Sequence, residues 1–326
     1  MTGDLFDMLD RAGFGANICQ VASQGDCRVL RLDDETGEGF MTMYRIFDGV
    51  YLMYNDFHMQ SCISQYQNAE TVFCIDHCRE GRIEHENALH EHYYMEAGDI
   101  RLDKRVHHAG NVLLPLSHYH GITIGFISEA AEQSLKREMP FLHIGLNELG
   151  EKFCPQNKEF LIRANVQLGG VFEQLYHAPQ CCRLEYFRVK TAELLLLLFT
   201  LDIDKQPTQS QYFPTRQTEK IKQIHALMTS SLERIYTIEQ LSERFDMPPA
   251  TLRKVFRAVY GEPVYRYIKA YKMKAAASML ISERRLTVSQ IAQRLGYDNA
   301  SKFSAAFRDV IGCSPQEYRS KEMEEM

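Results

Sequence analysis

Between Thr237 and Tyr318 the chain repeats itself, and this repeat restricts its fold more than any other feature of the sequence. Leu241-Ser242 aligns with Ile291-Ala292, and Asp246-Met247 with Gly296-Tyr297, at an offset of 50 residues. One extra residue in the second turn then moves the offset to 51, where Phe256 matches Phe307, Arg257 matches Arg308, Gly261 matches Gly312 and Tyr267 matches Tyr318. The two copies, at about 237–260 and 287–311, each space their apolar residues for a short helix, a tight turn and a second helix that stops at glycine. In the first helices Ile238, Leu241 and Phe245 share one side, as do Ile291 and Leu295. In the second helices Leu252, Val255, Phe256 and Val259 form a stripe, and Phe303, Phe307 and Val310 form its counterpart. Facing stripes of this kind close into a small core.

The opposite face of each second helix is then free. In the first copy it carries Ala250, Arg253, Lys254 and Arg257, with Thr251 beside them; in the second it carries Ser301, Lys302, Ala305 and Arg308, with Asn299, Ala300 and Ser304 at its start and flank. A short helix with such a face suits a DNA major groove only about 12 Å wide. Charge agrees with this reading. Residues 219–326 hold 18 Lys+Arg against 13 Asp+Glu, a net of +5, whereas residues 1–218 carry −11 within an overall −6. A basic module joined to an acidic one implies that only the C-terminal part meets a polyanion.

At these residues the chain resembles the AraC/XylS family of transcriptional regulators. "VSQIAQRLGYDNASKFSAAFRDVIGCSPQEYR" (Val288–Arg319) carries the family's C-terminal signature. "TIEQLSERFDMPPATLRKVFRAVYGEPVYRYI" matches its first motif, and "KAYKMKAAASML" (Lys269–Leu280) stands where the family has a connecting helix. The resemblance covers roughly the last hundred residues. It implies a cytoplasmic, homodimeric, sequence-specific DNA-binding regulator, with double-stranded DNA, a small-molecule effector and RNA polymerase as partners. Three positions depart from the family pattern. Asp246 stands where glycine is common, Lys272 where arginine is favoured, and Ala305 where relatives often carry a base-reading arginine. The last departure implies that the first recognition helix, through Arg253, supplies most of the sequence discrimination, with Arg257 and Arg308 as phosphate contacts.

The rest of the chain is expected to form an effector-binding and dimerisation domain over 1–201, joined through a linker at 202–217 to a DNA-binding domain over 218–326. "DIDKQPTQSQYFPTRQ" is polar, holds two prolines and lacks any helical or strand period. From about Gly39 to Ser128 short β-branched and aromatic runs alternate with turn residues: Asp48-Gly49, Glu80-Gly81 and Gly98-Asp99. From Ser128, as helix N-cap, to Leu201 the pattern is helical, including "KEFLIRANVQLGGVFEQLY"; the second half of "RLEYFRVKTAELLLLLFTL" is apolar on every face. The expected fold class is therefore α+β with two domains, a cupin-like β-rich barrel with following helices and then an all-α tandem of helix-turn-helix motifs.

Histidine is concentrated in the first half, with 11 of 12 before the linker. His90 and His92 would share one strand face, as would His118 and His120. Four such imidazoles could hold zinc, nickel or iron. However, "HEHYYMEAG" does not meet the metal-cupin spacing, so no metal or cofactor is assigned. His92, Tyr94, His118 and His120 are instead candidate contacts to an organic ligand. In "CIDHC" a strand would send Cys74, Asp76 and Cys78 to one face and Ile75 and His77 to the other. Nine cysteines without framework spacing, an N-terminus with acids before any base, and no apolar run near 20 residues all fit an intracellular protein. No Walker A loop or nucleophile elbow emerges, so the chain is read as a regulator and not an enzyme. The alternatives are a metal-dependent cupin enzyme with a helical appendage and a dimeric DNA-binding regulator without an effector.

Overall fold

The computed structural model describes Phe6 and residues 17–87, 89–205 and 211–324. The chain divides into two compact units, one of Met1–Asn87 with Tyr93–Tyr212, the other of Ala88–His92 with Phe213–Met326.

The strands β1 (Ile18–Gln24), β2 (Cys27–Asp34), β3 (Gly37–Phe47), β4 (Val50–His58), β5 (Ser61–Glu86), β6 (Glu91–Glu96), β7 (Ile100–Leu113) and β8 (Tyr119–Ile127) come first, all in the first unit except Glu91 and His92 of β6, which belong to the second. The path through the sheet runs β1-β2-β3-β4-β8-β5-β6, with β7 also paired to β5. Helices α1 (Ser128–Glu138) and α2 (Leu146–Phe153) follow, then a short strand β9 (Phe160–Ile162) on β7, then α3 (Val166–Tyr176) and α4 (Arg183–Thr200). Strand alternation gives the sheet two different faces. Val50, Leu52, Phe73, Ile75, Ile100, Leu102, Ile122, Ile124 and Phe126 pack with the helices in one core. Their odd-and-even neighbours Tyr51, Met53, Cys74, Asp76, Arg101, Thr123 and Gly125 line a cavity on the other face, which makes the sheet a half-barrel.

Asp48-Gly49 makes the expected hairpin, with Phe47 opposite Val50 and Gly49 at φ +74°. Gly98 likewise turns β6 into β7 at φ +90°. Four expectations are corrected. The strands begin at Ile18 and not near Gly39; β1 is almost wholly exposed, so it has no apolar alternation to betray it. Glu80-Gly81 is no turn, because β5 continues to Glu86 and the irregularity is a shift in register between Cys78 and Glu80 against β8. A Cβ at Gly81 would stand 2.0 Å from the His118 carbonyl oxygen, so the glycine serves close approach of two strands. The segment before α3 is partly strand, since Leu161 and Ile162 are buried against β7 and Asn165 caps α3 by accepting from the Gln167 and Leu168 amides. Finally, Ser128 is the first residue of α1 and Ile127 stands at the cap position, with no side-chain cap.

The second unit holds β10 (Phe213–Pro214), α5 (Thr215–Ser230), α6 (Ile238–Arg244), α7 (Pro249–Tyr260), α8 (Val264–Ser282), α9 (Val288–Arg294), α10 (Ala300–Ile311) and α11 (Pro315–Glu324). The segment 202–217 is more ordered at its end than its composition predicts. Phe213 is buried and pairs with His92, and residues from Thr215 are helical; residues 206–210 lie outside the described residues. No helix among the described residues is long and apolar enough to cross a membrane.

Candidate nucleic-acid interface and ligand cavity

Both helix pairs begin in the same way. Thr237 and Thr287 each accept from the backbone amide three residues on, at 3.2 Å, while Gln240 and Gln290 return a side-chain oxygen to the threonine amide. These are two capping boxes, and the T-x-x-Q spacing in each repeat was a legible signal that the apolar pattern alone did not use. Thr237→Ala or Thr287→Ala is expected to cost about 1 kcal/mol of stability each, measured by urea denaturation.

The turns need left-handed backbone. Gly296 is at φ +77°, and Asp246, its equivalent in the first copy, is at φ +46°, as a short polar side chain permits. The second helices then stop at Gly261 and Gly312, both left-handed. Leu241, Leu252, Val255, Phe256 and Val259 are buried in the first pair; Ile291, Leu295, Phe303 and Phe307 are buried in the second, where they pack on Met273, Ala276 and Leu280 of α8. Lys272 of α8 is also buried, and its ammonium donates to the Leu295 carbonyl at 3.0 Å. Burial holds its pKa below the ordinary lysine value. A single buried bond to the carbonyl end of α9 thus stands where a guanidinium could have made two.

With the apolar stripes turned inward, the opposite faces are open. Ala250, Arg253, Lys254 and Arg257 are exposed on α7, with Thr251 half-buried beside them. Ser301, Lys302, Ala305 and Arg308 are exposed on or beside α10, with Ala300 and Ser304 half-buried. Asn299 is exposed too, but its side-chain oxygen is engaged in capping α10 through the Ser301 and Lys302 amides at 2.7 and 3.2 Å. Arg253 lies 3.7 Å from Glu239, a loose pair in solvent that leaves the guanidinium available. A cleft of about 660 Å³ in the same unit is lined by Arg234, Arg253, Arg257 and Lys269 together with Tyr265 and Tyr297.

The four residues expected at a ligand are not at the cavity. His92 is buried with its Nδ1 2.8 Å from the Thr218 hydroxyl, and Tyr94 donates to Glu84 at 2.7 Å. His118 and His120 sit on the outer face, because Tyr119 between them takes the inward position. The cavity itself, of about 180 Å³, is mostly apolar, with Ile18, Leu32, Met41, Phe57 and Ile127 among its lining residues. One wall carries charge. Arg101 bridges Asp76 at 3.4 Å and Asp103 at 2.6 Å, and Arg105 bonds both carboxylates as well. Thr123 donates to Asp76 at 2.7 Å and Asn55 to Thr123 at 3.0 Å, completing the chain. Arg101 Nε is buried with no hydrogen-bond acceptor among the described residues, so an acceptor on a bound molecule would complete it. Cys74 and Asp76 share the cavity face as the strand reading of "CIDHC" required, while His77 stacks on Phe172 of α3, ring centroids 4.4 Å apart, on the other.

Known proteins resemble this chain over its second unit and, for some relatives, well beyond it. A family model described as a helix-turn-helix domain matches residues 241–321. The Msm operon regulatory protein of Streptococcus mutans is 26% identical over 234 residues, covering 70% of this chain and 77% of that protein. The transcriptional activator RhaR of Mannheimia succiniciproducens is 21% identical over 183 residues, 55% of this chain and 65% of its own. Among solved structures, the C-terminal domain of the response regulator AraT from Geobacillus stearothermophilus is 26% identical, covers 32% of this chain and 84% of its own, and superposes with a TM-score of 0.30.

Proposed function

We infer that this chain, whose C-terminal module is of the AraC-type helix-turn-helix family, is a sequence-specific DNA-binding transcriptional regulator controlled by a small molecule held in the half-barrel. The observation that carries the reading is the pair of matching helices α7 and α10, each buried along one stripe and open along a basic one. Two recognition helices on one chain suit successive major grooves on one side of the duplex, about one helical turn apart. Arg253 is assigned to base readout in the first groove, and Arg257, Lys302 and Arg308 to phosphates.

Two measurements separate these roles. With a duplex chosen by binding-site selection, Arg253→Ala is expected to weaken binding roughly 5- to 150-fold and to relax preference at one or two base pairs. Arg308→Ala should weaken binding to all sequences alike and lower the salt slope by about 1. Fluorescence anisotropy across a salt series reads both. A strong preference confined to the half-site under α10 would overturn the assignment of Arg253.

The cavity supports a ligand that is small, mainly apolar and equipped with an acceptor for Arg101. Its size compares with an engineered cavity of about 150 Å³ that takes benzene. Such a molecule shifts activity only through different affinity for the DNA-competent and incompetent arrangements. Homodimerisation is assigned to α4, where Val189, Leu196 and Phe199 stay exposed although Leu194, Leu195 and Leu198 are buried. Relatives named as activators support activation, with RNA polymerase as the further partner.

A further inference from the structure

We propose that His58, His118 and His120, with Asp56 as fourth ligand, form a binding site for a divalent transition metal of the zinc type on the outer face of the half-barrel. The argument begins in the register of β4 and β8. Asp56 lies opposite His120 and Phe57 opposite Tyr119. Two residues along a strand, side chains return to the same face, so Asp56 and His58 on β4, His120 on β8 and His118, just ahead of β8, form a compact grid. Phe57 and Tyr119, between them, take the inward positions at the cavity.

The rings converge. The three imidazoles each offer a nitrogen within 4.8 Å of the others. Ring centroids are 4.7 Å apart for His118–His120, 5.2 Å for His58–His118 and 5.6 Å for His58–His120. The Asp56 carboxylate is 2.9 Å from His58 Nε2 and also bonds His120 Nε2, so two imidazole nitrogens already aim at one oxygen. Glu80 lies 3.4 Å from His118 Nε2. Three nitrogens and one carboxylate are a donor set for Zn²⁺, Co²⁺, Ni²⁺ or Cu²⁺ and a poor one for Ca²⁺ or Mg²⁺. Metal–nitrogen bonds of about 2.0–2.1 Å require the rings to draw together by small rotations. His58, His118 and His120 are 59%, 30% and 31% exposed, so they are free to make that adjustment while β4 and β8, each paired on both sides, hold the backbone. Bound metal would pin the end of β4 to the start of β8. The site lies within the first unit, and its test does not depend on the regulator reading.

The test uses the full chain without a histidine tag, with its free thiols alkylated because Cys19, Cys181 and Cys182 are exposed and would compete. Titration with Co²⁺ alone should give visible absorption that saturates at one ion per chain, lacks thiolate charge transfer and disappears on adding Zn²⁺. His120→Ala and, separately, His58→Ala should each weaken Co²⁺ at least ~10-fold. His58→Ala guards against misfolding, since that side chain is the most exposed of the three. His143→Ala, at another exposed histidine, should change nothing. Absence of a saturable signal, or equal affinity in wild type, His58→Ala and His120→Ala, overturns the proposal.

Discussion

Gly296→Val is expected to destabilise the second helix pair by ~3 kcal/mol or more and to abolish specific DNA binding. The residue sits at φ +77°, where any side chain with a Cβ costs roughly 1–2 kcal/mol and a β-branched one more. The larger cost is steric. A Cβ at Gly296 would stand 2.2 Å from the carbonyl oxygen of Glu233 and 3.1 Å from its carbon, in the segment that leads into α6. Backbone meets backbone there, so no side-chain rotation relieves the contact. Either the segment before the first pair withdraws or the turn of the second pair opens, and α10 loses its footing in both cases. Asp246→Gly is the control: the same turn in the first copy already carries a side chain at φ +46°, so relief of strain should make this change neutral or stabilising by up to about 1 kcal/mol. Hydrogen exchange of the full chain should place the loss in Gly296→Val at α9 and α10 and show none in Asp246→Gly. Equal protection in wild type and Gly296→Val would refute the close-approach argument.

This asymmetry shows what the sequence made legible. The repeat aligned Asp246 with Gly296 because both need left-handed backbone, and that requirement is local. The close approach to Glu233 is not local, and no periodicity reports it. The half-barrel divides in the same way. Asp48-Gly49 was readable because a two-residue turn fixes its own hairpin. Glu80-Gly81 misled because glycine there serves contact with a carbonyl from His118, nearly 40 residues away. The recognition faces on α7 and α10 followed from helical period alone. The cavity wall did not, since Arg101, Asp103 and Arg105 alternate with Ile100, Leu102 and Lys104 as a solvent-facing strand would. Which side of such a strand faces water is decided by curvature of the whole sheet. For the same reason the sequence pairs His118 with His120 but not with His58, which joins them only through β4–β8 register, set some 60 residues apart in the chain.

Asp103→Asn is expected to cost about 3–5 kcal/mol of stability in the first unit, because it leaves the buried cluster one negative charge short. Two guanidinium groups and two carboxylates balance in the wild-type wall, with side chains only 8–16% exposed. Asp103 takes a 2.6 Å bond from Arg101 and two bonds from Arg105, at 3.0 and 2.9 Å, so it is the more heavily paired of the two carboxylates. An amide of the same shape preserves packing but not compensation, and the excess positive charge faces an apolar cavity. Pairing the change with Arg101→Gln should recover much of the loss, since removing both charges also removes the desolvation problem that the ion pair answered. Thermal and urea denaturation of the four members of this cycle give the coupling directly. A loss under about 1 kcal/mol in Asp103→Asn would mean that water reaches the cluster and screens it. The same variant bears on the ligand. If the cavity takes an acceptor-bearing molecule against Arg101, a small aromatic carboxylate such as benzoate should raise the melting temperature of Asp103→Asn more than that of wild type, because its anion restores the missing charge. No such difference would argue against Arg101 as the polar anchor of the effector.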